Sequence, residues 1–245
     1  MAVTLPVSMS GSIRLFVPAA LAADATVPAT AAQAHYLGTV MRRTVGDTVR
    51  LFNGRDGEWT GRIADLRRNA VGFIVETQIC SQESDQEADI WLAFALLKRD
   101  ATDLVVEKAT ELGVAAIWPV VTARTNASRV NLERLQAIAI EAAEQCERLT
   151  VPMLHPPRML TALLDAWPTA RRLFVAAERA DAPPLAPTGA SSGLLIGPEG
   201  GFTPVELDVL RARPLVTLAS LGPRILRAET AAIAGLARLQ GAGRG

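Results

Sequence analysis

Two short segments near the C-terminus combine glycines with charged side chains in a pattern that suits ligand binding. Residues 195–202 read LIGPEGGF and residues 220–231 read SLGPRILRAETA. Each follows an apolar run typical of a buried strand and leads into a helix-like pattern. Because glycine has no Cβ and tolerates positive φ, such loops let a backbone approach a ligand closely. The pattern predicts one site at the carboxyl edge of a parallel sheet, with two tight turns carrying surface ion pairs as the alternative.

The arrangement of the glycines narrows the class of ligand. The stretch IGPEGG at 196–201 is neither a phosphate-binding P-loop, which needs Gly-Lys-Ser/Thr, nor the Gly-x-Gly-x-x-Gly dinucleotide fingerprint. It also lacks a lysine that would hold a triphosphate. A ligand without phosphates, held by backbone amides and carbonyls, therefore suits these loops better.

The elements that must position the two loops follow from hydrophobic patterning. Alternating strand-like and helix-like runs from residue 89 to 245 predict an α/β domain with a mainly parallel sheet. Expected strands lie at 90–97, 114–121, 172–177, 194–197 and 215–221, and expected helices at 103–112, 132–149 and 228–240. Another helix should begin with a capping box, in which Thr203 is the N-cap, proline follows at N1, and Glu206 stands at N3.

The N-terminal part has a different rhythm. Residues 13–80 are mostly strand-like, with one helical pattern at 31–41, and predict a small β-barrel. Asn53-Gly54 and Asp56-Gly57 carry the turn chemistry of a hairpin between two of these strands. Residues 1–12 are expected to form a disordered extension, and the hydrophilic stretch 81–88 reads as a linker.

Composition bounds the class of protein without deciding its function. The chain has 245 residues, of which 49% are hydrophobic and 20% charged, as expected of one large or two modest globular domains. The net charge is zero, so charge alone does not indicate nucleic-acid binding, although 23 of the 25 basic residues are arginine. Two distant cysteines and two histidines lack metal-site spacing, so no metal is predicted. No apolar run reaches the roughly 20 residues of a membrane span, so no membrane partner is expected.

The two glycine segments closely resemble the S-adenosylmethionine loops of SPOUT methyltransferases, specifically the RsmE family, which methylates N3 of a uridine in 16S ribosomal RNA. The resemblance extends through residues 14–17, 35–42, 107–113, 122–126 and 141–148, in the family's order, and covers nearly the whole chain from 13 to about 240. It implies S-adenosylmethionine as cofactor, 16S rRNA in the 30S subunit as partner, a homodimer and a cytoplasmic location. It further implies a trefoil knot in the α/β domain and a PUA-like, RNA-binding identity for the barrel.

The resemblance also assigns contacts with S-adenosylmethionine to residues of the two loops. These are Leu195, Gly197, Pro198, Glu199, Gly200, Gly201, Leu218, Leu221, Gly222, Ile225, Leu226 and Ala231. For the leucines and isoleucine, a plain core position is the alternative.

The implied reaction is an in-line displacement of the sulfonium methyl by N3, which must first lose its proton. The protein must align the two groups, stabilise negative charge on the uracil and give the proton a route. Arg227 is the first candidate for the charge, with Arg148 and Arg124 as alternatives for holding phosphate or carbonyl oxygens. Glu229 is a candidate proton acceptor or a partner that fixes Arg227, and a first-turn acid favoured by the helix dipole is its alternative. A solvated helix pair with Glu144 is the alternative for Arg148.

RNA is expected to engage the N-terminal domain first. The candidate phosphate-binding residues are Arg14, Arg42, Arg43, Arg62, Arg67 and Arg68. His35 and Tyr36 are candidates for stacking on a base, with half-buried core positions as the alternative.

Two other functions compete with this interpretation. Another SPOUT activity, such as ribose 2′-O-methylation, would use similar glycine loops. An RNA-binding or ribosome-assembly module would keep the fold without turnover. Binding of S-adenosylmethionine distinguishes the second alternative, because a pure binding module should bind none.

Overall fold

The structure is a computed structural model that describes residues 12–84, 88–125, 130–177, 182–188 and 191–241. The chain divides into two compact units, Met1–Gln86 and Glu87–Gly245. The expected extension at 1–12 lies outside the described residues except for Ser12.

The N-terminal unit is built on one five-stranded sheet. Its strands are β1 (Arg14–Phe16), β2 (Thr26–Ala29), β3 (Thr48–Phe52), β4 (Glu58–Arg67) and β5 (Ala70–Cys80), in the order β1-β3-β4-β5-β2. Strands β3 and β4 pair antiparallel, which confirms the predicted hairpin. Its loop is held by Asn53, whose side-chain oxygen accepts from the backbone N–H groups of Arg55 and Asp56.

The five strands share a single hydrophobic core. Leu15 of β1 and Val27 of β2, which lie on strands at opposite ends of the sheet, belong to the same buried cluster as Phe73 of β5. Strands at both ends meet in one core only if the sheet curls, as the prediction of a small barrel requires. Sequence analysis missed β2, a short edge strand that contains Pro28, and edge positions are where a sheet tolerates proline.

The helix expected at 31–41 changes type halfway. An α-helix, α1 (Ala31–His35), begins with a capping box between Thr30 and Gln33 and continues as a π-helix at Tyr36–Val40. A short 3₁₀ turn, Gln82–Ser84, follows the last strand of this unit.

The C-terminal unit is an α/β domain with a seven-stranded sheet. Its strands are β6 (Ile90–Ala95), β7 (Ala116–Val121), β8 (Met153–Leu154), β9 (Arg158–Met159), β10 (Arg172–Ala176), β11 (Ser192–Ile196) and β12 (Val216–Ala219). Its helices are α2 (Arg99–Glu111), α3 (Leu132–Gln145), α4 (Leu160–Ala166), α5 (Pro204–Arg211) and α6 (Ala228–Gln240). The strand order is β12-β10-β11-β6-β7-β8, with β9 also paired to β7, and every recorded pair is parallel, which confirms the predicted parallel sheet.

Both faces of this sheet are covered, so its central strands are apolar throughout. On β11, Leu194 and Ile196 pack into one core with α2, α3 and α6, whereas Leu195 packs into the other core with α4 and α5. The helices α4, α5 and α6 follow strands whose carboxyl ends lie at one edge of the sheet. None of the described helices has both the length and the apolar character to cross a membrane.

Candidate active site

The carboxyl ends of β10, β11 and β12 enclose an open cleft of ≈ 630 Å³. Strand β10 lies between β11 and β12, so the loops that follow these two strands face each other across its end. The cleft is lined by Ala176, Ala177, Ile196, Gly197, Pro198, Glu199, Gly200, Gly201, Phe202, Leu207, Ser220, Leu221, Gly222, Pro223, Arg224, Ile225, Leu226, Ala228 and Ala231. The structure thus brings the two glycine segments into one cavity.

The first wall is the glycine loop, residues 197–201, which follows β11. The backbone N–H of Gly201 donates to the carbonyl of Pro198 at 2.8 Å, and Gly201 has a φ of +66°. A Cβ at Gly197 would lie 3.0 Å from the Phe202 ring. Gly201 is therefore needed for its backbone conformation, and Gly197 is needed because a larger residue would crowd Phe202. Without side chains at these positions, main-chain groups form the surface of the cleft.

The second wall is the arginine loop, residues 220–227, which follows β12. The hydroxyl of Ser220 accepts from the N–H of Gly222 at 3.2 Å, and Gly222 has a φ of +128°. The Ser220 N–H donates to Pro183 at 2.8 Å, so the segment 182–188 supports this loop from the side. Leu226 packs against the core beneath α6, whereas Ile225 is 60% exposed.

A clamp from the loop after β7 holds the glycine loop in place. The Arg124 guanidinium donates to the Gly200 carbonyl at 2.7 Å, and Arg124 Cδ would lie 3.3 Å from a Cβ at Gly200. Next to it, the Ala123 N–H donates to the Glu206 carboxylate at 2.8 Å. Glu206 also closes the predicted capping box with Thr203 at the start of α5, which the structure confirms.

Burial would raise the pKa of Glu206, but the N–H groups of Ala123 and Thr203, the Thr203 hydroxyl and the nearby Arg124 charge together lower it. Each of these donors stabilises the ionised carboxylate. The carboxylate therefore links two loops at the carboxyl edge of the sheet while it is charged.

Ten of the twelve positions expected to contact S-adenosylmethionine line the cleft, and Leu195 and Leu218 do not. Leu195 is fully buried, and its side chain belongs to the core on the opposite face from that of Ile196. Leu218 packs against the same core as Leu195. The reason is the two-residue alternation of a strand, which turns these side chains away from the site.

Of the four candidate catalytic residues, two flank the cleft. Arg227 is the N-cap of α6, is exposed, and does not cap the helix through its side chain. Glu229 lies in the first turn of the same helix and is half-buried. Neither residue lines the cavity, but Ala228, which stands between them, does. Arg124 reaches the site through its contact with the glycine loop.

The structure contradicts the fourth candidate, Arg148. Its side chain is buried and donates to the carbonyls of Thr110 and Val114 and to the Thr150 hydroxyl, at 2.8, 3.1 and 2.7 Å. Val114 precedes β7, so Arg148 lies at the amino edge of the sheet, opposite the cleft. It ties the end of α3 to the end of α2 instead of holding a substrate.

The six arginines predicted to contact RNA fall into three groups. Arg14 is buried, donates to the Glu58 carboxylate at 3.1 Å and lies 3.7 Å from the Phe52 ring centre, so the prediction that it binds phosphate is wrong. Two others are engaged in surface ion pairs, Arg62 with Glu76 and Arg67 with Asp65. The remaining three, which make no side-chain hydrogen bond or ion pair to the described residues, are Arg42, Arg43 and Arg68.

Nine residues that line the cleft were not among the twelve predicted contacts. Six of them lie within the two predicted segments, namely Ile196, Phe202, Ser220, Pro223, Arg224 and Ala228, whereas sequence analysis missed Ala176, Ala177 and Leu207. The alanines at 176 and 177 end an apolar strand, as the glycine segments do, but their place in the site depends on β10 lying between β11 and β12. Strand order is not readable from a single strand's pattern.

The described residues contain no group of three or more histidine, cysteine, aspartate or glutamate side chains that could hold a metal ion. Both cysteines, Cys80 and Cys146, are free thiols.

Comparison with known proteins identifies two domain families in this chain. Residues 84–240 match the family described as RNA methyltransferase domain, and residues 29–76 match the RNA methyltransferase PUA domain. Ribosomal RNA small subunit methyltransferase E of Rickettsia conorii is 34% identical over 235 residues, which is 93% of this chain and 94% of that protein. The protein of the same name from Synechocystis sp. is 34% identical over 226 residues, 88% of this chain and 73% of its own length.

Two solved structures share the fold over nearly the whole chain. Ribosomal RNA small subunit methyltransferase E from Neisseria gonorrhoeae, bound to S-adenosyl methionine, has a TM-score of 0.82 and 29% identity, covering 94% of this chain and 97% of that one. A Legionella pneumophila protein in complex with the cofactor SAM has a TM-score of 0.83 and 30% identity, covering 94% and 98%. With both domain families matched and relatives aligned almost end to end, this chain belongs to the ribosomal RNA small subunit methyltransferase E family.

Proposed function

We propose that this protein transfers a methyl group from S-adenosylmethionine to N3 of a specific uridine in the 16S rRNA of the small ribosomal subunit. The observation that carries the proposal is the single cleft formed by the glycine loop and the arginine loop. Two similar proteins were solved with S-adenosylmethionine bound. The names of the Neisseria gonorrhoeae protein and of the Rickettsia conorii relative specify small-subunit ribosomal RNA. The choice of uridine N3 rests on the resemblance of residues 220–231 to the family motif.

The residues of the cleft fit this cofactor. Gly197 and Gly200 stand where a Cβ would approach Phe202 and Arg124, so backbone groups are the surface offered to a ligand. Leu221, Ile225 and Leu226 add an apolar wall that suits an adenine ring. The cofactor supplies a methyl group on a positively charged sulfur, which is electrophilic without help from a metal.

The chain must supply alignment and charge stabilisation. As N3 loses its proton, negative charge spreads over the uracil carbonyl oxygens, and Arg227, which is exposed and adjoins the cleft-lining Ala228, stabilises it. The N-terminus of α6, which Arg227 does not cap with its side chain, adds a favourable dipole. Glu229 accepts the proton or orients Arg227. Arg124 acts as a positioning residue, because it contacts the glycine loop.

Three architectural features accompany the proposal. A trefoil knot in the C-terminal unit is supported by the return of β12 to the far side of β10 and by the bridge between Pro184 and Ser220. A homodimer is supported by the exposed Ile225 and Val205 near the cleft, which are 60% and 72% exposed. A division into 13–80 for RNA binding, 81–88 as linker and 89–245 for catalysis is supported by the family matches to residues 29–76 and 84–240, of which the second begins within the linker. An rRNA substrate implies the cytoplasm.

The decisive experiment measures methyl transfer from labelled S-adenosylmethionine to 30S subunits that lack the modification, followed by nucleoside analysis. Label in 3-methyluridine is the expected result. Label in a 2′-O-methylated nucleoside would move the target to the ribose, and cofactor binding without transfer would indicate a different RNA. Absence of both binding and transfer would leave an RNA-binding module without activity.

A pair of variants on one helix tests the role of Arg227. Arg227→Ala should lower the transfer rate by about 100-fold, the usual loss when a charge-stabilising donor is removed, while cofactor affinity stays close to that of the wild type. Arg238→Ala removes an exposed arginine from the last turn of the same helix and should leave the rate unchanged. Equal rates for the two variants would remove Arg227 from the mechanism.

A further inference from the structure

One stretch of the N-terminal unit exposes apolar and cationic side chains together. Among the described residues, nine large hydrophobic residues are exposed, and four of them lie within 36–45. They are Tyr36 at 37%, Val40 at 58%, Met41 at 37% and Val45 at 58%. The stretch 36–45 is called the 36–45 patch below.

The backbone of the patch is irregular in two ways. The N–H of Met41 donates to the carbonyl of Tyr36 at 2.9 Å, which is the five-residue bond of a π-helix. Such a widened turn has one residue more than an α-turn, and it is frequent at functional sites. Arg42, which follows, has a φ of 52°, a conformation that glycine adopts easily and that strains an arginine. The left-handed turn lets the N–H of Arg43 donate to the carbonyl of Leu37 at 2.8 Å, which closes the helix. Glycine at position 42 would allow the same turn with less strain, so the turn itself does not require the arginine side chain.

Positive charge surrounds these apolar side chains. Arg42 is exposed and Arg43 half-buried, and the Arg43 Nε makes no hydrogen bond to the described residues. The π-helix lies against the end of β4, since a Cβ at Gly38 would be 3.8 Å from Leu66, and this brings the following turn with Arg68 close.

The acidic groups nearby are already engaged. Asp65 pairs with Arg67 at 3.1 Å, and the Asp47 carboxylate accepts from the backbone N–H of Thr44 at 2.9 Å. Arg42, Arg43 and Arg68 therefore have no carboxylate partner among the described residues.

We propose that the 36–45 patch binds single-stranded RNA, with an unstacked base against Tyr36 and its neighbours and the adjoining phosphates on Arg42 and Arg43. The proposal deepens the proposed function, since it names the surface and the RNA form that the substrate presents to the N-terminal unit. Aromatic and apolar side chains beside unpaired guanidinium groups match a nucleotide, which has a flat apolar face and a charged phosphate. A duplex hides its base faces and would gain only the phosphate contacts.

The strained arginine allows an unusually clean test. Arg42→Gly relieves the left-handed backbone, so the melting temperature should stay the same or rise, while affinity for RNA falls. Binding of the full chain to fluorescent oligouridine, and to the same strand annealed to oligoadenosine, is measured across a range of salt concentrations. For Arg42→Gly, the slope of log affinity against log salt should decrease by about 0.7, the value for one lost phosphate contact on a single strand.

The apolar half of the patch is tested by Tyr36→Ala. Affinity for oligouridine should fall about tenfold at every salt concentration, with an unchanged slope, because stacking does not release counterions. The wild type should bind the duplex more weakly than the single strand, whereas Tyr36→Ala should bind the two RNA forms equally. Arg55→Gln removes an equal charge that is already paired with Asp56, and it should bind like the wild type.

Wild-type affinity and slope in Arg42→Gly, or wild-type affinity in Tyr36→Ala, would overturn the proposal. A duplex that binds the wild type as tightly as the single strand would do the same. All variants should bind S-adenosylmethionine normally. If Arg42→Gly and Tyr36→Ala lose RNA affinity as expected but the wild type methylates no small-subunit RNA, the proposed binding surface is supported and the proposed reaction is rejected.

Discussion

Arg124 shows how a residue outside the two glycine segments contributes to the cleft. It follows β7, yet its guanidinium donates to the Gly200 carbonyl of the loop that follows β11. The aliphatic part of its side chain packs where a Cβ at Gly200 would point. The Arg124 side chain thus fixes the position of the glycine loop and also fills the space that a side chain at position 200 would need.

Arg124→Ala should weaken S-adenosylmethionine binding because the glycine loop loses its only side-chain donor among the described residues. The loss of one charge-assisted hydrogen bond at an exposed position is worth about 1 kcal/mol, or about fivefold in Kd. Titration calorimetry measures this directly.

A suitable control for this variant is Arg172→Ala. Arg172 is also exposed and donates to the Thr217 hydroxyl at 2.8 Å, but it begins β10 at the opposite edge of the sheet. It should bind the cofactor as the wild type does. An unchanged Kd for Arg124→Ala would mean that the glycine loop holds its shape without the clamp.

At the scale of elements, the start of α5 connects helix capping to the site. Glu206 accepts from Thr203 within its own helix and from Ala123 of a neighbouring loop, both at 2.8 Å. The two bonds use different oxygens of one carboxylate, so a single charge stabilises the helix N-terminus and the clamp loop together.

This arrangement predicts a pH dependence. Since the pKa of Glu206 is lowered in the folded protein, its contribution to the free energy of unfolding is present above the ordinary value of 4.5 and is lost as pH falls through the lowered pKa. Glu206→Gln should therefore be less stable than the wild type at neutral pH, and the difference should shrink in acid. Chemical unfolding at a series of pH values measures it.

The matched variant is Asp208→Asn on the same helix, whose carboxylate forms a surface ion pair with Arg211. Its stability should follow the wild type at each pH. A stability gap for Glu206→Gln that stays constant into acid would show that the charge of Glu206 is not what stabilises this junction.

Elements that depend on nearby residues were predictable from the sequence. The Thr203–Glu206 capping box and the helix at 228–240 have the predicted bounds, because their signals lie within a few residues. Helix α2 begins at Arg99, four residues before the predicted start at 103, since Lys98 provides no side-chain cap to mark it. The two-residue strands β8 and β9 were missed because two residues show no period.

What the sequence could not supply is information about neighbours in space. The Glu144–Arg148 spacing suggested a solvated side chain for Arg148, but Arg148 is buried, and it donates to carbonyls of another helix and of the segment that precedes another strand. Similarly, Leu195 and Ile196 are adjacent in a fully apolar strand, and only the packing of helices on both faces decides which one meets the cleft. Sequence patterns predict individual strands and loops, but the order of the strands in the sheet decides which loops meet in one site.

At the scale of the whole molecule, the two units have separate cores. The buried cluster of the N-terminal unit runs from Ile13 to Val75 and shares no residue with the two clusters of the C-terminal unit. All residues that line the cleft lie at or after Ala176. The stability of one unit and the ligand affinity of the other should therefore be separable, unlike the effects of two mutations within one core.

Phe73→Ala tests this separation. Phe73 is fully buried in the N-terminal core, so its removal should cost about 3–5 kcal/mol of that unit's stability. Hydrogen exchange followed by peptide mass analysis should show faster exchange in peptides from 12–84 and unchanged exchange in those from 191–241. The Kd for S-adenosylmethionine should stay at its wild-type value, whereas oligouridine binding should weaken as the N-terminal unit unfolds. A weaker cofactor Kd, or faster exchange at the glycine loop, would mean that the cleft depends on the N-terminal core for its shape.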